Sequence, residues 1–188
     1  MGGFGSTRWA AHAKRTTVEE SLTLDLTQMA RAGCFVPWYT GRTTWLRGEK
    51  ETAAIRFTVR PEADSLVLVL SYTWTPWGAK EGRVVELPIR LEQQPMRFGG
   101  CRWWGRCPLA VNGRPCNRRI GKVYFPHGSA HFGCRVCHGL TYVSAQEHDK
   151  RVSALRRDPE ALERLLSNLE GASPRDLLLA LKATTPRR

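Results

Sequence analysis

From Gln93 to Gln146 the chain has no aspartate and no glutamate, although seven arginines and one lysine fall in the same stretch. The absence removes every carboxylate that could serve as a general base there. It leaves a local charge of +8, set within a net charge of +12 over all 188 residues. A single-sign field of that size attracts polyanions, DNA or RNA among them, and it attracts acidic protein surfaces equally well. Lysine is scarce too. Of the 29 basic residues 23 are arginine, whose planar fork suits phosphates and guanine edges. GC-rich coding produces the same ratio without a functional cause, but it does not explain the clustering.

Long apolar runs are also missing. The longest, Leu66 to Leu70, is strand-sized, so no segment reads as a membrane-spanning helix. The N-terminal MGGFGSTRWAAHAKR has basic residues with no apolar stretch behind them, and it does not read as an export leader. The expectation is a cytoplasmic protein with no membrane partner. In a reducing compartment clustered cysteines serve as metal ligands rather than disulfides.

What is present falls into four parts. Residues 1–17 are small, Gly-rich and basic, and read as a flexible arm. Residues 18–100 read as a helix followed by an antiparallel sheet domain. ESLTLDLTQMARAG is the predicted helix, with Asp25 or Thr23 as its cap, Leu26, Met29 and Ala30 as its apolar side and Gly33 as its stop. From Thr43 to Leu91 the period is two. Ile55, Phe57 and Val59 alternate with Arg56, Thr58 and Arg60, and Val85, Leu87, Ile89 and Leu91 alternate with Pro88 and Arg90 on the other face. The apolar run from Leu66 suits a central strand, Pro88 suits an edge or a bulge, and Thr44 to Leu46 suits a further strand. Three to five strands are expected. Residues 101–143 form the cysteine region. Residues 144–188 return to helical periodicity in three segments, Ser144 to Arg157, the segment after Pro159, and a last one with Ser173 as cap and Pro174 at its first position. The fold class expected is α+β: a small antiparallel sheet with an N-terminal helix, then a zinc ribbon, then a short C-terminal helical segment.

Within the cysteine region Cys134 and Cys137 are spaced as a metal knuckle, and Cys107 and Cys116 form a wider pair with PLAVNGRP looped out between them. The residues between Cys116 and Cys134 suit a hairpin, with KVYF as one strand and PHGSA as the turn. Zinc is the expected cofactor, held by Cys107, Cys116, Cys134 and Cys137. Four thiolates close a tetrahedral shell, so the zinc is expected to be structural and the chain not an enzyme. Other readings of the same residues remain open: Cys101 in place of Cys107, His127, His131 or His138 as a ligand, and a haem-attachment reading of CRVCH at 134–138. Cys34 lies far from the cluster and reads as a buried thiol.

Three stretches, GGFGSTRW at 2–9, CPLAVNGRPC at 107–116 and CRVCHGLTYVS at 134–144, give a resemblance over nearly the whole length. The chain is similar to a family of bacterial and phage proteins that open on a GGxGSxRW-like arm, continue with a sheet segment and end in a zinc ribbon. The resemblance implies the same four zinc ligands. It departs from the family in its first pair, which is often a closer CPxCG knuckle, and Asn117 stands where that Gly usually does. No established activity comes with the family.

The functional expectation is a zinc-ribbon nucleic-acid-binding protein, such as a phage or mobile-element regulator. Its phosphate-contacting set is Arg102, Arg106, Arg114, Arg118, Arg119, Lys122 and Arg135 around the ribbon, with Arg8, Lys14 and Arg15 in the arm. The alternative is a protein-interaction factor or inhibitor that presents its basic surface to an acidic protein partner. The Leu-rich terminal helices add the expectation of a homodimer.

Overall fold

The computed structural model describes residues 15–146, 148–168 and 172–185. It is a mixed α+β fold, and its chain divides into two compact units, one running to Tyr142 and one starting at Val143.

The first unit is organised by a six-stranded antiparallel sheet. Its strands are β2 (Thr40–Arg47), β3 (Lys50–Glu62), β4 (Ser65–Trp74), β5 (Arg83–Pro95), β6 (Cys101–Arg106) and β9 (Arg119–Ile120), and they lie side by side in that order. Three consecutive hairpins explain why sequence order and spatial order agree from β2 to β5. The alternation of Ile55, Phe57 and Val59 with Arg56, Thr58 and Arg60 places the apolar set of β3 in the core, where Val59 is fully buried. In β4 both faces are buried, Leu68 and Leu70 toward the core and Val67 and Val69 on the far side, as a strand flanked on each side requires. Pro88 pairs with Val69 of β4. On its other side β6 pairs with β5 from Leu91 to Pro95 only. Pro88 therefore occupies a local edge, where its missing N–H leaves no ladder bond unmade.

The N-terminal segment differs from the sequence expectation. Leu22–Asp25 is a strand, β1, and the helix α1 is confined to Leu26–Arg31. Asp25 is the cap, and its carboxylate accepts from the backbone N–H groups of Thr27 and Gln28 at 2.9 and 3.1 Å. β1 pairs antiparallel with β10 (Lys122–Phe125), and this long-range ladder overrides the short helical pattern of LTLD. The sheet also exceeds the three to five strands expected, because β6 and β9 come from the cysteine region. Around a parallel bridge of Thr17 with Thr141, the Thr141 N–H donates to the Thr16 carbonyl at 3.1 Å and the Val18 N–H to the Thr141 carbonyl at 2.9 Å, and Thr17 is buried.

One close approach fixes α1 on the sheet. A Cβ on Gly105 of β6 would stand 2.5 Å from Leu26 Cδ1 and 3.0 Å from Ile89 Cγ2, so only a glycine lets the helix settle there.

The second unit contains α2 (Val143–Gln146), α3 (Lys150–Arg157), α4 (Pro159–Ser167) and α5 (Pro174–Thr184). The segment expected as one helix from Ser144 to Arg157 is interrupted, with Asp149 capping α3 through the Arg151 N–H. Ser173 caps α5 and Pro174 opens it. Arg156 of α3 donates to the carbonyl oxygens of Lys182 and Ala183 at the end of α5, at 2.6 and 3.1 Å. Leu177, Leu178 and Leu181 of α5 remain exposed. No helix among the described residues is long and apolar enough to cross a membrane.

Candidate metal centre

The loop between Cys107 and Cys116 folds back as a tight hairpin, β7 (Ala110–Val111) against β8 (Arg114–Pro115). Asn112 and Gly113 form its turn with φ of 51° and 75°, the two positive dihedrals that a two-residue turn of this hand demands and that Asn-Gly supplies. This Asn-Gly cue was present in the sequence. The hairpin returns the chain so that the Cys116 N–H donates to the Leu109 carbonyl at 2.8 Å. Asn117, directly after Cys116, has φ of 48°, in the left-handed region where asparagine is the best tolerated residue after glycine.

The second pair sits on a turn closed by Gly139 N–H to Val136 O at 3.1 Å and Leu140 N–H to Arg135 O at 2.9 Å. It is delivered by β10 and the bridge of Tyr124 with Gly133. Gly133 is the second tight glycine: a Cβ there would lie 2.1 Å from Leu109 Cδ1 and 2.9 Å from His138 Nε2.

These two turns bring Cys107, Cys116, Cys134 and Cys137 together, with all four Sγ atoms within 4.8 Å of one another. Cys107 to Cys137 and Cys116 to Cys134 are each 3.9 Å apart. A tetrahedron with arms of about 2.3 Å, the length of a zinc–thiolate bond, has edges of about 3.8 Å. The donor set therefore fits zinc in number, element and spacing. Two backbone groups point at the sulfurs, Cys134 N–H toward Cys107 Sγ at 3.4 Å and Cys137 N–H toward Cys134 Sγ at 3.3 Å. Burial pushes the Cys107 thiol up to about 11. Burial acts the same way on Cys134, but hydrogen bonds from the Cys137 backbone and the neighbouring thiols outweigh it and bring Cys134 down to about 7. Among the described residues no other group of three or more Cys, His, Asp or Glu side chains is disposed to hold a metal.

Cys101 is exposed on β6, opposite Pro95, and Cys34 is buried in the core. His138 packs over Gly133, and burial holds its imidazole below the ordinary histidine value against the backbone carbonyls of His131 and Tyr124.

The cysteine cluster is built onto the sheet. Cys107 and Cys134 belong to the same buried cluster as Leu68, Ile89 and Leu91. Phe132, 1% exposed and in the same buried cluster, meets Trp45, Tyr72 and Phe125 ring to ring. The Tyr72 hydroxyl donates to the Ala130 carbonyl at 3.0 Å, and burial pushes that phenol up to about 12.

The basic residues named from the sequence disperse. Arg8 and Lys14 lie outside the described residues, and Arg15 is exposed where they begin. Arg106 and Arg119 pair across β6 and β9, while Arg102 lies four residues away along β6. Arg114 is on the β7–β8 hairpin, Arg118 is exposed beside the metal centre, and Arg135 lies 5.2 Å over the Tyr142 ring. Three of the set meet carboxylates from outside the acid-free stretch. Glu92 takes Arg106 at 2.6 Å and Arg119 at 3.2 Å, and Asp25 takes Lys122 at 3.1 Å. Arg56, Arg60 and Arg90, on the polar faces of β3 and β5, were not in the set. Their alternation was visible, but the pairing that aligns Arg60 and Arg90 with Arg106 and Arg119 was not.

Compared with family models, with curated proteins and with solved structures, the chain matches none. The likeness to the arm-and-ribbon family rests on the quoted residues alone.

Proposed function

We propose that the chain is a zinc-ribbon nucleic-acid-binding protein without catalytic activity, of the kind a phage or mobile element uses as a regulator. The observation that carries this reading is the tetrahedral spacing of four cysteine sulfurs in a stretch that holds seven arginines, one lysine and no carboxylate. Zinc, when bound, supplies a fixed covalent corner and no reaction, because its four protein ligands leave no position for water. Cys107 and Cys116 hold it from one turn and Cys134 and Cys137 from the other. That corner sets the direction of Arg118 and Arg119, which follow Cys116 after Asn117. The likeness to the arm-and-ribbon family supports the same ligand set.

The test has two parts. Purified protein carries one zinc per chain, and Cys134→Ser loses it. Affinity for labelled nucleic acid falls steeply with salt, and the double reversal R118E/R119E weakens it. Absence of binding to single-stranded and duplex probes at low salt defeats the reading.

A second reading, a protein-interaction factor with an acidic partner, is favoured by two aromatic side chains on hairpin tips. Trp77 is 98% exposed and Phe98 is 94% exposed. It requires a discrete protein partner in a pull-down and a preparation free of nucleic acid.

A further inference from the structure

The six-stranded sheet has two faces. The inner one is the core, with Val59, Leu68 and Ile89 side by side. On the opposite face the strand register aligns residues that are far apart in sequence. Arg60 pairs with Val67, and Val67 pairs with Arg90. Arg106 follows Gly105, the partner of Leu91, and so stands beside Arg90, while Arg106 itself pairs with Arg119. Residues opposite one another in antiparallel strands project from the same face. Arg60, Arg90, Arg106 and Arg119 therefore form one row across five strands, which at about 4.8 Å per strand spans about 19 Å.

The row carries four arginines and one carboxylate partner, Glu92, which binds Arg106 and Arg119 and holds both guanidinium groups at its end. Arg60, Arg90 and Arg119 are exposed. A cleft of about 840 Å³ opens at this end, lined by Arg90, Glu92, Arg106 and Arg119 and by Asp64 and Ser65 of the β3–β4 turn. On the same face of β6, two residues from Arg106, the Trp104 ring carries the guanidinium of Arg102 at 4.3 Å. Val69, flanked by Thr58 and Pro88, supplies an uncharged floor next to the row.

Resting on the nucleic-acid reading above, we infer that this outer sheet face is the binding surface and that its ligand is a single strand. A major groove about 12 Å wide admits a helix or a two-stranded ribbon, and a six-stranded sheet is too broad for it. A single strand can lie across such a face with its phosphates on a line of arginines. Its bases can stack on a flat guanidinium or aromatic plane, which Arg102 and Trp104 supply together. Glu62, Glu86 and Glu92 share this face, and Arg56, away from the row, has Ser71 and then Glu86 as its cross-strand neighbours.

The experiment uses the full chain and three labelled probes of about 20 nucleotides, oligo-dT, oligo-U and a duplex, between about 50 and 200 mM salt. The wild type should bind at least one of the two single strands more tightly than the duplex. R60E/R90E should weaken that binding about tenfold and lower the salt slope by about 1.4, the value for two lost phosphate contacts on a single strand. R157E/R175E, which makes the same charge change on exposed positions of α3 and α5, should stay within about twofold of wild type. R60K/R90K should keep the slope, and the melting temperature and zinc content of each variant report its fold. Duplex preference, or equal effects of R60E/R90E and R157E/R175E, overturns the sheet assignment while leaving the nucleic-acid reading standing. Absence of binding to all three probes overturns both.

Discussion

At the residue scale Asn117 shows how one dihedral serves the metal centre. Its φ of 48° turns the chain just after Cys116, and a β-branched side chain there costs about 1–3 kcal/mol. Asn117→Val should lower stability by that amount and weaken zinc retention, whereas Asn117→Gly should match or exceed the wild type in the same thermal melt. Asp25 has two roles, as cap of α1 and as partner of Lys122. Burial raises its carboxyl, but the Gln28 N–H, the Lys122 ammonium and the Thr27 N–H outweigh it and hold the carboxyl below its ordinary value. A depressed folded-state pKa stabilises above the unfolded value of about 3.9, and the contribution is lost as pH falls through the lower folded value. Asp25→Ala should cost about 1 kcal/mol near neutral pH, most of it from the lost cap. The Lys122 side chain is 53% exposed, so its ion pair adds little. Denaturant melts should show the difference between Asp25→Ala and wild type shrinking as pH falls below about 4. The cap, the Ser173 start and the Cys134–Cys137 knuckle were all legible, because each depends on neighbours a few positions away.

At the element scale α1 and β6 meet through Gly105. Gly105→Ala forces Leu26 or Ile89 to shift and should destabilise by about 1–3 kcal/mol in denaturant unfolding, with zinc content unchanged because the four cysteines are untouched. Short elements were the least legible. Leu22–Asp25 is a strand only because β10, nearly a hundred positions later, offers it a ladder. Four residues with two leucines cannot announce that from within. β6 and β9 joined the sheet for the same reason. Phe125 and Phe132 of the cysteine region pack ring to ring with Tyr72 of the sheet.

At the scale of the first unit this shared core predicts that a metal held by the four cysteines and the sheet would melt together. Cys107 and Cys134 lie in the same buried cluster as the central strands. Removing zinc leaves four thiols crowded within 4.8 Å, where fewer than four can remain deprotonated without a cation between them. A strong chelator should therefore lower the melting temperature of the sheet itself, followed by tryptophan fluorescence, and not merely release a peripheral loop. An unchanged sheet transition in metal-free protein would refute that coupling.

The amino-acid order by itself determined the spacing of the four candidate sulfur ligands, the alternation that makes β3 and β5 amphipathic, and the excess of arginine, because spacing, period and charge are local or additive properties. Only the tertiary structure decided which arginines stand together. Strand register placed Arg60 and Arg90 beside Arg106 and Arg119, while Glu92 and Asp25 drew Arg106, Arg119 and Lys122 into ion pairs. A two-residue period says which face a side chain takes, but the neighbour across the strand is set by hairpin geometry and by packing against a core drawn from the whole unit.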